Sequence, residues 1–562
     1  MLLTALILMP VWLGRGFVLN HDMVAVPQQR LQPWMWGGGG APPRAVPQDV
    51  YIAVLDNVIP GALLQKLLLT IGLLGSAWAM AWLAAPFGRI GQAVAATVYV
   101  WSVYVFERLA IGHFNLVLAY AALAWVVLVA NRARRGSTSA AAGLVLIVAA
   151  ATWAPTPGVM LVVVAAALIL WPGSALEPRA RVATVLALVA TQLTWIVPAL
   201  LTAGAGSDSR GLFGLRSSSL GSALLQVLQG GGIWSATFAA PSRAGALGVI
   251  AVVIALVMLI LGLPRVRAAL GSSFPALLTV ALLFAAWAVI TGVPALSDLV
   301  TWVEGLPGGG LLRDGQKWLA PLWLVVALSF GAAAQRIQEW MRGENRALPY
   351  ALALLPLVLL PDLAWGLFGR LEPVRYPAGW QATAEALAAA PDDDDVVALP
   401  WSAFRRFAWN DQRTVLDPAP RYLPRTVVAD TTLLVAGAGP PDGSAPAVVA
   451  GDDPASAAAA EALRSSDPLG RLRAQGIGWV FVEEGQPAAP DAPPIPDLSQ
   501  AELVVRADDV SLYRLPGAVA DPPSTSNAAI VVAWTTGLVV CALALWEIMR
   551  TARVGARAQR GR

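Results

Sequence analysis

Long apolar runs recur along the chain, most of them about as long as the roughly 18–20 residues a helix needs to cross a hydrocarbon core. Their spacing predicts about 12 membrane-spanning helices, beginning with Leu2 to about Val18. The others fall at 61–85, 91–108, 113–130, 139–154, 157–172, 182–203, 244–263, 271–291, 319–335, 347–366 and 527–547. Prolines between 139–154 and 157–172 leave that pair open to a different reading. After about residue 366 the pattern changes to short β-type runs and two helical stretches. Strand fragments are expected at 396–399, 426–428, 447–449, 479–482, 503–505 and 511–515. Helices are expected at 380–390 and 454–465, the second capped by Asp453. Residues 487–496 are proline-rich and read as a loop or tether. The fold class is therefore a polytopic α-helical membrane protein with an α/β domain near its C-terminal end. The expected division is a helical body over 1–366, the α/β domain over 367–526, and a last span with a basic tail over 527–562.

Composition supports this class. Of 562 residues, 57% are hydrophobic and 13% charged, where a soluble chain carries about 25% charged residues. The single cysteine, Cys541, permits no intrachain disulfide. The net charge of +3 hides a segregation: residues 370–521 hold 22 acidic and 12 basic side chains, ten negative charges in excess. Arginines cluster instead between the apolar runs. With Met1 cytoplasmic, the inner loops carry Arg89, then Arg132, Arg134 and Arg135, then Arg179 and Arg181. Next come Arg265 and Arg267, then Arg336, Arg342 and Arg346, and last Arg550, Arg553, Arg557, Arg560 and Arg562. Every strong cluster falls on one side, as the positive-inside rule requires. Basic charge of this kind signals topology, not nucleic-acid binding. The loops 19–60, 109–112, 204–243 and 292–318 then lie outside, together with the α/β domain. An amphipathic surface helix is expected in the first outer loop around Tyr51, Ile52, Leu55 and Val58, and an interfacial or re-entrant piece between Gly211 and Ser235.

The chain has two histidines and two lysines, and all four map near the outer face: His21, His113, Lys66 and Lys317. Around them lie Asn20-His21-Asp22, then Arg44 and Asp49, then Glu107-Arg108, and Arg313-Asp314-Gly315-Gln316-Lys317-Trp318. Polar groups at membrane depth are expensive unless they pair or line a cavity. An outer cavity here would take an anionic lipid headgroup, with Arg313 and Lys317 on its phosphate and a carboxylate as base toward an attacking hydroxyl. Blander readings stand beside this one: Asp22 as a solvated loop carboxylate, Glu107-Arg108 as an interhelical ion pair, His113 as a polar interface residue. Arg313 and Lys317 also fit surface anchors, and Trp34, Trp36 and Trp318 an interfacial aromatic belt. Gly37–Gly40 lacks the context of a nucleotide-binding loop. Two histidines and one cysteine exclude a His/Cys metal site, while a carboxylate-held Mg²⁺, Mn²⁺ or Ca²⁺ stays open. No cofactor is otherwise indicated.

An Asp directly after the first helix, a surface helix in the same loop, many further helices and a terminal external domain resemble the GT-C superfamily of glycosyltransferases. His21-Asp22-Met23-Val24, Pro43-Arg44-Ala45-Val46-Pro47 and Leu312-Arg313-Asp314-Gly315-Gln316-Lys317-Trp318 look like its actinobacterial integral membrane branch. That branch is similar to polyprenyl-phosphate-dependent arabinofuranosyl- and mannosyltransferases of cell-envelope biogenesis. The resemblance implies Asp22 as catalytic base, with Asp49 the second acidic residue of the loop and Asp56 a further alternative. It implies donor-phosphate contacts from Arg313 and Lys317, within a substrate-binding set of His21, Arg44, Lys66, Glu107, Arg108, His113, Arg313, Asp314 and Lys317.

The expected function is transfer of arabinofuranose or mannose from a polyprenyl-phosphate donor to an envelope glycan or glycolipid, outside the cytoplasmic membrane and with inversion. The partners are that donor, the acceptor and membrane lipids, without nucleic acid. Trp380, Trp401, Trp409 and Trp479 are candidates for a sugar-stacking surface on the external domain. Two rival classes remain. A lipid or solute transporter would use the same charges as a path, although no paired half-chain repeat is visible. A non-catalytic scaffold would bind envelope lipids or proteins.

Overall fold

The computed structural model describes residues 1–40, 42–202, 210–341, 347–435, 447–520 and 526–560. Arg342 and Arg346 of the expected inner loops lie outside the described residues, as does Arg562 of the tail.

Among the described residues, six helical stretches are long and apolar enough to cross a membrane: Gly61–Leu83, Ala85–Ala110, Phe114–Arg134, Ala246–Thr291, Gly315–Trp340 and Ala528–Val554. Two bent pairs, Pro178–Ala190 with Leu193–Leu201 and Ala351–Leu359 with Pro361–Phe368, raise the number to eight if each is one span. The chain is thus a multi-pass helical membrane protein with six to eight such spans among the described residues, not about 12. Continuity explains the difference. Leu2–Leu13, Thr138–Ala151 and Pro155–Leu170 are apolar but only 12, 14 and 16 residues long, short of the roughly 20 that a span needs. The expected 244–263 and 271–291 lie within one run of 46 residues.

Ala85–Ala110 and Gly315–Trp340 form the centre, each buried over 89% of its most apolar stretch, whereas Ala528–Val554 is buried over 22% and rides on the outside. Close approach at the centre depends on small residues, as usual where helices pack in lipid. A Cβ on Gly262 would lie 1.9 Å from the carbonyl oxygen of Ser329 on the neighbouring helix. Trp318, expected in an interfacial belt, is fully buried against Phe284, with ring centroids 4.9 Å apart.

The helix Phe114–Arg134 fixes the two ends of the body. Its 21 residues span about 30 Å, with His113 before one end and Arg134 at the other. Arg134 donates to the carbonyls of Trp171 and Pro172 at 2.9 and 2.8 Å and to the Ser272 hydroxyl at 3.0 Å. The connections after two further helices therefore meet at the arginine end.

The C-terminal domain is built on a five-stranded sheet in the order Val427–Val428, Asp395–Leu399, Ile477–Glu483, Val510–Arg514, Glu502–Arg506. The first two pairings are parallel and the last two antiparallel. Ile477–Glu483 is buried throughout, because both faces are covered. Trp479 and Phe481 face a core shared with Trp380 and Leu387 of the helix Ala378–Ala389. Val480 and Val482 face Ala459, Ala462 and Leu463 of the helix Pro454–Leu463, whose Asp453 side chain accepts from Ala455 N–H at 3.2 Å. Two hairpins complete the domain, Phe404–Arg405 with Val415–Leu416 and Leu433–Val435 with Ala447–Val449. Buried Arg405 ties the first hairpin to the central strand through Glu483 and to Asp417 at 2.8 Å.

The loop after the first helix is shared between the two parts. Phe17, Leu19, Val24 and Val26 belong to the same core as Trp380 and Phe481, and Phe17 exchanges backbone hydrogen bonds with Val374 at 2.7 and 2.9 Å. Further along the loop lies the short helix Gln48–Leu55, with Val58 beyond its end and exposed.

Candidate functional site

A cavity of about 710 Å³ lies between the helical body and the C-terminal domain. From the sequence-predicted set it collects His21, Asp22, Arg44, His113, Arg313, Asp314 and Lys317. Lys66, Asp49, Glu107 and Arg108 do not line it, and each has another partner.

Asp22 is placed by backbone contacts on both sides. His21 takes a left-handed φ of 48°, its N–H donating to Thr414 O at 2.7 Å while its carbonyl accepts from Leu416 N–H at 2.8 Å. One residue later, Asp22 N–H donates to Ile111 O at 3.0 Å. This second contact requires Gly112. That residue has a φ of +94°, and a Cβ on it would sit 2.3 Å from Met23 N and 2.7 Å from Asn20 O. Asp22 Oδ2 lies 2.9 Å from His113 Nε2, and its Oδ1 has no hydrogen-bond partner among the described residues. Burial pushes the Asp22 carboxyl up. The His113 hydrogen bond is the largest opposing effect, the Lys317 charge adds to it, and the balance leaves the carboxyl below its ordinary value.

Behind His113, Arg108 Nη1 is 3.1 Å from His113 Nδ1 and donates to Asp314 Oδ2 at 2.8 Å. Asp314 also has left-handed backbone, φ 58°. Lys317 Nζ lies 4.0 Å from Asp314 Oδ2. Arg313 Nε donates to Gly310 O at 3.0 Å, and Arg44 pairs with Asp452 of the C-terminal domain at 2.6 Å. Together with Arg406, the lining carries four Arg or Lys side chains against Asp22 and Asp314. That balance suits an anionic ligand.

The four outliers are braces. Lys66 Nζ donates to Gly14 O at 2.8 Å and so closes the first helix at its C-terminal end. Asp49 is fully buried and takes two hydrogen bonds from Arg421, 3.3 and 3.0 Å, across the contact between the two parts. Glu107 Oε1 accepts from Gly232 N–H at 3.2 Å and anchors the loop that carries Trp234 into the cavity. Arg108 is completely buried beneath His113. Asp56 accepts from Gln29 N–H at 2.7 Å and also lies outside the lining.

Other lining residues went unanticipated. Phe213, Trp234, Phe238 and His21 form a chain of near edge-to-face rings, with centroids 5.2, 5.5 and 4.6 Å apart. The first hairpin supplies Phe404, with Arg406 and Thr414 beside its strands, and the proline-rich segment supplies Pro487–Pro490. The tryptophans expected to stack on sugar do not reach the cavity. Trp380, Trp401 and Trp479 are buried, and Trp380 packs against Tyr376, Phe407, Trp409, Tyr422 and Phe481 as core. Among the described residues, no group of three or more His, Cys, Asp or Glu side chains stands close enough to hold a metal ion.

The fold matches the cryo-EM structure of arabinofuranosyltransferase AftD from Mycobacteria with a TM-score of 0.52 and 18% identity, covering 92% of this chain and 40% of that one. A single-residue variant of AftD matches with a TM-score of 0.51 and 18% identity, covering 93% of this chain and 41% of the other. The chain thus spans about two fifths of the length of the solved structures it matches, and at this identity the likeness is one of fold. No family model and no curated protein sequence matches it.

Proposed function

We propose that the chain transfers a sugar from a polyprenyl-phosphate donor to a hydroxyl of a cell-envelope glycan or glycolipid, on the outer side of the cytoplasmic membrane. The observation that carries this reading is the single cavity in which Asp22 meets Arg313 and Lys317. Arabinofuranose is the favoured sugar, since the fold likeness is to an arabinofuranosyltransferase, and mannose is the second choice.

Asp22 takes the proton of the acceptor hydroxyl as its oxygen bonds to the anomeric carbon. The bond from that carbon to the phosphate oxygen breaks with its electron pair, and polyprenyl phosphate leaves. Arg313, Lys317 and Arg44 meet the charge that grows on the phosphate. Attack from the face opposite the leaving group inverts the anomeric centre. The aromatic chain from Phe213 to His21 and the hairpin residues Phe404 and Arg406 form the wall available to the acceptor. Transport is less well supported, because every lining residue comes from the Asp22 end of the helices or from the C-terminal domain.

The test uses the purified full chain in nanodiscs with polyprenyl-phosphoarabinofuranose and polyprenyl-phosphomannose. Transfer to an envelope-glycan acceptor is expected with one of them, and Arg313→Gln and Lys317→Gln should each weaken donor binding about 10-fold or more. Unchanged donor affinity in both variants would return these residues to a surface-anchor role. Absence of transfer from either donor would refute the reading.

A further inference from the structure

We propose that His113, locked by Arg108 and Asp314, is a positioning residue that aims the Asp22 carboxylate and makes Asp22 the end point of the transferred proton. The inference rests on the glycosyl-transfer reading of Asp22.

Four elements supply one chain of contacts. Asp314 comes from the turn before Ala320–Trp340, Arg108 from the end of Val103–Ala110, His113 from the turn that follows, and Asp22 from the first outer loop. The separations are 2.8 Å from Arg108 Nη1 to Asp314 Oδ2, 3.1 Å from the same Nη1 to His113 Nδ1, and 2.9 Å from His113 Nε2 to Asp22 Oδ2. Guanidinium has donors only. His113 Nδ1 must therefore accept, the ring proton sits on Nε2, and Nε2–H donates to Asp22. Protonating the ring would set an Nδ1–H against the Arg108 N–H.

The groups facing His113 act in the same sense on balance. Burial lowers its pKa most. The Asp22 hydrogen bond and charge raise it, while Arg108 and Lys317 lower it further, and the result lies below the ordinary value. His113 also occupies the N-cap position of Phe114–Arg134 without its side chain capping the helix, so the ring is free for this contact.

Three consequences follow for the chemistry. Nε2 already carries a proton, so the ring cannot relieve Asp22 of the one it takes from the acceptor; in a Ser-His-Asp triad the ring does accept it. Oδ2 is fixed, which leaves Oδ1 for the acceptor hydroxyl. The Arg108 charge is balanced by Asp314, so Asp22 is oriented by a neutral donor and not drawn into a direct ion pair that would weaken it as a base.

The decisive measurement needs no turnover. The chain has only two histidines, so ¹⁵N-histidine NMR of the full chain, with His21→Gln for assignment, reads His113 alone. The expected result is a neutral Nε2–H ring at about pH 7, with any protonation falling below the ~6.5 of an ordinary imidazole. Protonation at or above that value, or an Nδ1–H tautomer at about pH 7, would overturn the proposal. In the transfer assay, His113→Leu should lower kcat about 10²-fold, the scale of a misaimed catalytic group, with little change in donor KM. His113→Gln should recover most of that loss, since its carbonyl can accept from Arg108 and its amide can donate to Asp22. A folded His113→Leu variant with the parent kcat would refute the positioning role while transfer itself stood. If the parent transferred no sugar, the transfer reading would fail, and the NMR result would still decide the hydrogen-bond chain.

Discussion

Replacing Asp22 by Asn removes a proton acceptor while changing almost nothing else. The side chain keeps its size, and the amide oxygen can still accept from His113 Nε2–H, the contact seen at 2.9 Å. The amide NH₂ then occupies the place of Oδ1, a donor where the acceptor hydroxyl needs a base. Loss of general-base help costs about 10²–10⁴ in rate, or ~2.7–5.4 kcal/mol in activation free energy. Folding should be little affected, because the Asp22 side chain is 40% exposed to the cavity. Asp49→Asn is the informative control. Asp49 is fully buried against Arg421, so its loss weakens the joint between the two parts, where breaking a buried ion pair costs about 3–5 kcal/mol. The Asn amide oxygen offsets some of this. Single-turnover sugar transfer, normalised to folded protein and run beside thermal unfolding of the same samples, separates the two effects. The expected pattern is slow chemistry with normal stability for Asp22→Asn, and the reverse for Asp49→Asn. Near-normal chemistry in Asp22→Asn with slow chemistry in a stable Asp49→Asn would move the base to Asp49, and normal chemistry in both would remove this loop from the reaction.

The pH profile follows from the same carboxyl. Asp22 must be ionised to act, and its pKa lies below the ordinary carboxylate value of about 4; activity is therefore fully present above that value, lost as pH falls through it, and kcat/KM should be flat from about pH 5 to 7, whereas an inflection near 6.5 would contradict the assignment. Gly112→Ala should lower kcat about 10²-fold, because its Cβ would collide with backbone atoms of the Asp22 loop; an unchanged rate would show that the loop tolerates displacement. For topology, in a Cys541→Ala background, Ser499→Cys should react with an impermeant thiol reagent from outside intact cells and Arg135→Cys should not, the opposite pattern reversing the orientation.

Local patterns were the legible part. The run Trp479 to Val482 alternates its side chains between two cores and was recognisable as a strand; the Asp453 cap and the helix near Tyr51 were likewise written within a few residues. The span count was less legible, because hydropathy adds up apolar residues without seeing where the helix stops. Pro155, for example, starts a 16-residue helix only four residues after the previous one ends. Residue chemistry alone separated rare polar groups from the background but not the lining from its braces. Asp22 and Asp49 look alike in one loop, and what distinguishes them is Arg421, 372 positions away. Arg406 gave no signal among 36 arginines, and the four tryptophans of the C-terminal domain were ambiguous, because core packing and sugar stacking select the same side chain. Gly112 was visible beside His113, but only the approach of Asn20 and Met23 reveals why a glycine stands there.

The way the loop after the first helix is held bears on which part of the chain makes the site. Asn20 donates through its side chain to Ala110 O of the helical body at 2.8 Å, and Asp22 donates to Ile111 O. Between them, His21 is paired through its N–H with Thr414, just before the strand Val415–Leu416 of the C-terminal domain, and through its carbonyl with Leu416. The left-handed φ of His21 is what lets adjacent residues face opposite partners, and histidine is among the side chains that tolerate it. The same loop gives Phe17, Leu19, Val24 and Val26 to the core of the C-terminal domain. Docking of the sheet thus adds the two His21 backbone bonds to the contacts with the helical body that hold Asp22 against His113. A sequence motif in the loop specifies a carboxylate, but its aim is set jointly by a hairpin about 390 residues later and by the turn at Gly112. The C-terminal domain therefore supports the site twice, through the cavity wall it contributes and through the backbone bonds that hold the loop.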